Sequence, residues 1–209
     1  NQSNIKRLLA YSSIAHAGYM MLALATVAGQ KPTLGVQGLL FYLFMYLFLN
    51  GGAFVVAEAV KQRIGTEDIR EYAGLGRRSP VLAACMVVFL FGLVGIPPTV
   101  GFAGKLKLFQ VLVDSNQWIG YTGMVVLALN TVIAAFYYFR IIRQMYLTTS
   151  PAPAVSEINA ITMMAMLLVV PNIGLCLAYG WVDTQIRTFG QIRMEQPPEM
   201  TIPAAPKPN

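Results

Sequence analysis

Charge is scarce in this chain of 209 residues. Asp, Glu, Lys and Arg make up 11% of it, against roughly 25% in a soluble domain, and that shortage excludes an ordinary water-soluble globule. Histidine occurs once, at His16, and cysteine twice, at Cys85 and Cys176. No metal-ligand spacing and no glycine-rich phosphate loop accompanies them, so the sequence carries no soluble-enzyme signature. Two isolated cysteines cannot staple a disulfide framework, and both read as small core residues. What is abundant is apolar surface, at 56% of residues with a mean hydropathy of +0.57, far above the disordered range. An integral membrane protein remains. The net charge of +6 does not indicate a nucleic-acid partner, because the basic residues lie in the gaps between apolar runs rather than interleaved with aromatics on one face.

Those runs define an all-α architecture. Leu8 to Val27 contains one titratable side chain, His16, over twenty residues, about the length that crosses a hydrocarbon core. Leu34 to Ala57 is uncharged and ends at Glu58 and Lys61. Residues 61 to 79 are too polar for lipid and long enough for a short surface helix. Pro80 to Ile96 stops at Pro97-Pro98, and Thr99 to Gly104 follows, with Gly101 and Gly104 in a stretch that breaks the helical ladder. The apolar stretch that continues to Val113 is too short to cross alone. Two readings stand here: two crossings, or one built of two half-helices, whose irregular backbone would need cover from protein or a watery cavity. Trp118 to Phe139 and Ile161 to Val182 complete the set. With one broken crossing, the side holding the N-terminus carries nine of the Lys and Arg residues against four on the other, which puts the N-terminus in the cytoplasm or the mitochondrial matrix. The two-crossing reading gives the same answer for the N-terminus, so charge does not choose between five spans and six.

Chemistry in such a chain means intramembrane titration, since a charge at mid-bilayer costs roughly 2.5–3.5 kcal/mol on insertion scales and ionisable groups there usually line a cavity or a proton path. Lys105 follows the break and lies about 13 Å of helix from Asp114, beyond the reach of a snorkelling lysine. It is either a proton-transfer group or a structural lysine bonded to carbonyls freed by the break. Lys107 is about 200° further round the helix, so the two lysines cannot share a face. It shares one with Asp114, seven residues on, and is expected to pair there or to function. His16 sits among Ser12, Ser13 and Tyr19 as a relay element or a helix-packing histidine. Tyr42, Tyr46 and Asn50 form a polar stripe along the second span, suited to ordered water or to interhelical contacts. Glu58 extends that stripe and reads as an interfacial ion beside Lys61.

Three stretches together resemble a known family. They are Asn4-Ile5-Lys6-Arg7-Leu8-Leu9-Ala10-Tyr11-Ser12-Ser13-Ile14-Ala15-His16, Asn50-Gly51-Gly52-Ala53-Phe54, and Gly95-Ile96-Pro97-Pro98-Thr99-Val100-Gly101-Phe102-Ala103-Gly104-Lys105. The pattern is similar to the antiporter-like membrane subunits of proton-pumping NADH:quinone oxidoreductase, respiratory complex I, and most similar to the N-type, called subunit 2 in mitochondria. The L-type usually has lysine where Asn50 falls, and the M-type has glutamate where Lys105 falls. The family has two inverted repeats, each with a discontinuous helix bearing a channel residue. The resemblance covers residues 1 to about 182. It implies about five transmembrane helices, one discontinuous, forming the second repeat plus a terminal helix. It makes Lys105 the channel lysine and Pro97 to Gly104 the helix break, and it places the C-terminus outside. Lys107 departs from it, standing where an apolar or aromatic residue is usual.

The resemblance further implies a subunit that couples quinone reduction to proton transfer with no cofactor of its own, while NADH, FMN, iron–sulfur clusters and quinone belong to other subunits. A cation/proton antiporter subunit shares the fold, and a non-pumping structural subunit is the reading from another class. The first repeat is absent from this sequence, so a separate N-terminal half is an expected partner, beside other membrane-arm subunits and lipids. Splitting of that kind suggests the mitochondrial inner membrane, with a bacterial cytoplasmic membrane as the alternative. Residues 1–182 form the transmembrane unit, and 183–209 a polar tail, rich in proline and poorly packed after Arg193 or laid along a neighbouring subunit.

Overall fold

The computed structural model describes residues 2–25, 32–150 and 159–194, and among them it is helical throughout, with one isolated bridge between Asn4 and Asp68 in place of any sheet. The helices are α1 (Ile5–Ala25), α2 (Pro32–Ile64), α3 (Leu75–Arg78), α4 (Pro80–Val94), α5 (Val100–Asp114), α6 (Trp118–Leu147), α7 (Ala160–Leu177) and α8 (Tyr179–Met194), with a 3₁₀ turn at Ile69–Tyr72. The proline-rich stretch after Arg193 lies, but for Met194, outside the described residues.

Four helices, α1, α2, α6 and α7, are long and apolar enough to span a bilayer. They are apolar all round, the pattern of a helix packed against protein on one side and lipid on the other. Leu47, Val125, Leu129, Phe136, Leu167 and Val170 are exposed, a surface that water would not tolerate and a bilayer does.

The fifth crossing is the broken one. At 15 residues each, α4 and α5 are about 22 Å long, short of a hydrocarbon core of about 30 Å. Their ends decide between the two readings left open above. The start of α4 lies at the N-terminal end of the bundle: Gln144 near the end of α6 donates to the Arg70 carbonyl (3.0 Å), and Gly76 packs on Tyr146. The finish of α5 lies at the far end, where Leu112 packs on Gly120 and Gly123 at the start of α6, and Gly123 also meets Leu22 near the end of α1. A chain that enters at one end and leaves at the other has crossed once, so α4 and α5 are halves of a single discontinuous crossing.

The break has a local cause. Gly95 takes a left-handed conformation (φ 88°) at the C-terminus of α4, Pro97-Pro98 is a cis pair that cannot donate backbone bonds, and Thr99 is extended before α5 begins. A Cβ on Gly101 would stand 1.8 Å from the Gly92 carbonyl oxygen, and one on Gly104 would stand 1.6 Å from Cε of Met45. Glycine at these two points therefore lets α5 lie directly against the end of α4 and against α2. The core forms there, from Phe41, Met45 and Leu49 of α2, Phe89, Leu90 and Leu93 of α4, and Val100 and Leu108 of α5.

At the N-terminal end the chain is tied by backbone and charge. Ile5 donates to the Glu67 carbonyl (2.9 Å) and Ile69 to that of Ser3 (2.7 Å). Glu58 meets Lys6 of α1 (2.6 Å), and Lys61 turns to Glu67 (2.9 Å). Pairing follows the loop after α2, which folds back and puts Glu67 between Lys61 and Lys6, the latter at 3.0 Å. Hydrogen bonds from Lys61, Asn4 and Lys6 hold the Glu67 carboxyl down to about 2, from an ordinary 4.5. A depressed carboxylate stabilises the fold fully above its unfolded value and ceases to do so as pH falls through the folded one. Comparing thermal unfolding of the wild type with Glu67→Gln across pH should therefore show a gap that is complete above about pH 4.5 and closes toward pH 2. A gap independent of pH would contradict this role.

Candidate functional site

Lys105 sits in the second turn of α5 and is 5% exposed. Its ammonium carries three protons and has three acceptors: the carbonyls of Leu93 (3.2 Å) and Val94 (2.6 Å) at the C-terminus of α4, and Thr131 Oγ1 of α6 (3.0 Å). The α4 carbonyls are free because the helix ends, and a helix C-terminus favours a cation. Nζ also lies 5.5 Å from the centre of the Tyr19 ring, at cation–π range. The two carbonyls can only accept hydrogen bonds. Thr131 alone among the three both accepts and donates, so any proton leaving Lys105 through a protein group departs on that side.

His16 lies in that direction. It is buried, its Nδ1 is 2.8 Å from the Tyr42 hydroxyl, and its ring contacts Tyr19 edge-on (centroids 5.4 Å) and stacks on Tyr46 (4.9 Å). One turn earlier, Ser12 is hydrogen-bonded to Tyr138 of α6, and both are buried. The polar groups of α1, α2, α5 and α6 thus form one seam at mid-bundle. Tyr42 and Tyr46 belong to it, whereas Asn50, half-buried two turns further along α2, has no part in the His16 contacts. Glu58 stands outside the seam, in the ion network at the bundle end.

Lys107 faces the other way, as the helical period requires. The expected partner Asp114 is corrected: the Lys107 ammonium bonds to Asp183 of α8. Asp114 is about 10 Å further along α5, beyond the lysine stem, while Asp183 arrives from the opposing helix. The span read as Ile161 to Val182 ends at Leu177, and α8 starts at Tyr179, so Asp183 lies inside a packed helix and not at the start of a loose tail.

Asn172, in the C-terminal half of α7 and fully buried, completes the break. Its Oδ1 accepts from the Val100 amide (3.3 Å), one of the orphan donors that open α5, and its Nδ2 donates to the Val88 carbonyl (3.3 Å). Losing a buried partner costs about 1–3 kcal/mol. Asn172→Leu should therefore lower the thermal midpoint of the purified protein, and an unchanged midpoint would show that Val100 finds another acceptor.

Sequence reasoning did not single out Thr131, Tyr138, Asn172 or Asp183. Thr131 and Tyr138, seven apart and on one face of α6, offered a signal of the same kind as the α2 stripe. Asn172 was a lone amide in an apolar span, and Asp183 fell just past the last run.

The family model described as "NADH:quinone oxidoreductase/Mrp antiporter, TM" matches residues 1–134. NADH-quinone oxidoreductase subunit N 2 of Sorangium cellulosum is 42% identical over 198 residues, which are 92% of this chain and 38% of that protein. The subunit N of Rhodospirillum rubrum is 43% identical over 168 residues, 80% of this chain and 33% of its own. This chain therefore spans well under half the length of these relatives. Among solved structures, a chain of the membrane-bound sulfane sulfur reductase, an archaeal respiratory membrane complex, superposes with a TM-score of 0.81 at 25% identity, over 91% of this chain and 38% of that one. A chain of respiratory complex I from Thermus thermophilus gives 0.70 at 31% identity, over 88% and 40%. The discontinuous crossing, the lysine just beyond its break and the match over residues 1–134 agree, and the chain belongs to the NADH:quinone oxidoreductase/Mrp antiporter transmembrane family.

Proposed function

We propose that this chain is a proton-translocating membrane module of an NADH:quinone oxidoreductase, with Lys105 as the group that carries the proton. The observation that supports it most is the position of Lys105, buried where a broken crossing supplies two carbonyls and opening through Thr131 toward Tyr19, His16 and Tyr42. Carbonyls hold the charged form, and the hydroxyl side offers the exchange route, so both loading and release run through the Thr131 face of the ammonium. His16 and the Tyr42 hydroxyl extend that route across to α2. Pro97, Pro98, Gly101 and Gly104 serve by keeping the α4 carbonyls open and α5 close, and the chain itself carries no redox group in this reading. NADH, FMN, iron–sulfur clusters and quinone are assigned to other subunits.

The two subunit N relatives named above are bacterial, which favours a cytoplasmic membrane over a mitochondrial inner membrane, with the Lys- and Arg-rich end on the cytoplasmic side. Other membrane-arm subunits, and the first inverted repeat on a neighbouring polypeptide, are its proposed partners.

Isolation of the intact complex through this chain tests the reading. Co-purification of flavin and iron–sulfur subunits with quinone-dependent NADH oxidation is the expected result. A complex lacking them that exchanges sodium for protons would overturn it in favour of the antiporter.

His16→Ala should reduce the proton-to-electron ratio less than any loss at Lys105, because water can occupy the space of an imidazole and carry the relay. A loss as large as that of Lys105→Met would instead make His16 an obligatory carrier.

A further inference from the structure

We propose that Lys107 and Asp183 form a second proton-exchange site, set in the far half of the bundle and open to water on that side. This rests on the proton-transfer reading above and adds a site on the opposite face of α5 from Lys105.

Four observations meet here. The Lys107 side chain is 2% exposed and its Asp183 partner 13%, so the pair sits where an ion pair is poorly solvated. Burying two charges costs several kcal/mol per ion unless the remaining polar atoms are satisfied. Lys107 nevertheless lines a cavity of about 390 Å³, together with Leu34, Gln110 and Asp114, ample for several waters. The cavity lies at the far end, since Asp114 closes α5 and is exposed. Finally, the Gln37 side chain is 3% exposed and its Oε1 has no hydrogen-bond partner. Gln37 shares a face of α2 with Leu34, which lines the cavity, and with Phe41, whose ring packs on Tyr179 of α8. Its oxygen is therefore placed along the α2–α5–α8 seam, where an ordered water would satisfy it.

The step balances. The Lys107 ammonium passes a proton to the Asp183 carboxylate, giving a neutral amine and a neutral acid. Asp183, 13% exposed, releases that proton to water, and the neutral Lys107 amine takes another from a hydronium ion in the cavity it lines. Beside the pair stand Tyr179 on α8, hydrogen-bonded to Gln110 (3.2 Å), Asp114 on α5, which lines the same cavity, and Leu34 and Phe41 on α2.

Two measurements on the intact complex decide it. Dicyclohexylcarbodiimide reacts with protonated carboxyls, and mass spectrometry of the α8 peptide reads its attachment to Asp183. Labelling is expected to fall about tenfold per pH unit above its midpoint, and to be absent after Asp183→Asn. No labelling at any pH would mean a permanently ionised or dry carboxylate and would overturn the proposal. Second, Lys107→Leu combined with Asp183→Leu replaces the pair with packed apolar groups, an exchange that is often neutral for stability. The combined variant should lower the proton-to-electron ratio, and an unchanged ratio would leave the pair a fastener between α5 and α8. If Lys105→Met lowers the ratio while the combined variant does not, this site fails alone; if Lys105→Met has no effect, the parent reading fails.

Discussion

Gly101→Ala should prevent the protein from assembling. The added Cβ would stand 1.8 Å from the Gly92 carbonyl oxygen and 3.1 Å from the Leu49 side chain. Leu49 can rotate away, but a backbone carbonyl at the end of α4 cannot. Overpacking of a core ordinarily costs about 1–3 kcal/mol and occasionally more, and here relief requires α5 to separate from α4. That movement would withdraw Lys105 from the Leu93 and Val94 carbonyls and Val100 from Asn172, so packing and polar satisfaction fail together. Gly18→Ala and Gly51→Ala are the controls. Both positions have nothing within 4 Å of a built Cβ, and alanine there is expected to be neutral or to stabilise by about 0.5–1 kcal/mol, the ordinary helix preference over glycine. Co-purification yield and thermal midpoint read the difference. Normal assembly of Gly101→Ala would mean that the two half-helices tolerate a wider gap than the contact at Gly92 allows.

Lys105→Met should abolish most proton transfer while retaining the fold. Methionine fills much of the lysine stem's volume and adapts to irregular space. It also strands the acceptors of Leu93, Val94 and Thr131, so some loss of stability is expected, about 1–3 kcal/mol for a buried group left unpaired. Lys105→Gln keeps donors for two of the three acceptors without any charge, which separates a folding defect from a transport defect. Lys105→Arg should restore only part of the function, because guanidinium holds its proton at any working pH. A structural lysine predicts instead that both variants keep nearly full function, arginine first and glutamine close behind.

Much of this architecture was readable from the sequence, for reasons that apply to lipid more than to water. A bilayer demands uninterrupted apolar length, so α1, α2 and α6 stood out, although α2 and α6 run beyond Ala57 and Phe139 to Ile64 and Leu147 as helices whose ends leave the apolar zone. The break was legible because prolines and glycines interrupt a run too short to cross in two pieces. Lys105 was legible because its distance from Asp114 forbids snorkelling. Pairing was not. Whether Lys107 meets Asp114 or Asp183, and Glu58 meets Lys61 or Lys6, depends on which helix lies opposite, and spacing along one helix holds no record of its neighbour. Asn172 escaped for the same cause, since its meaning lies in the Val100 amide that α5 exposes 72 residues earlier.

The most direct test of Lys105 as the proton carrier is the proton-to-electron stoichiometry of the intact complex in sealed vesicles, compared between wild type and Lys105→Met after both have been shown to contain the full set of subunits. The account predicts a lower stoichiometry for Lys105→Met, with Lys105→Gln equally low and Lys105→Arg intermediate. An unchanged stoichiometry for an assembled Lys105→Met complex would contradict it, and would leave Lys105 as the lysine that closes the carbonyl end of α4.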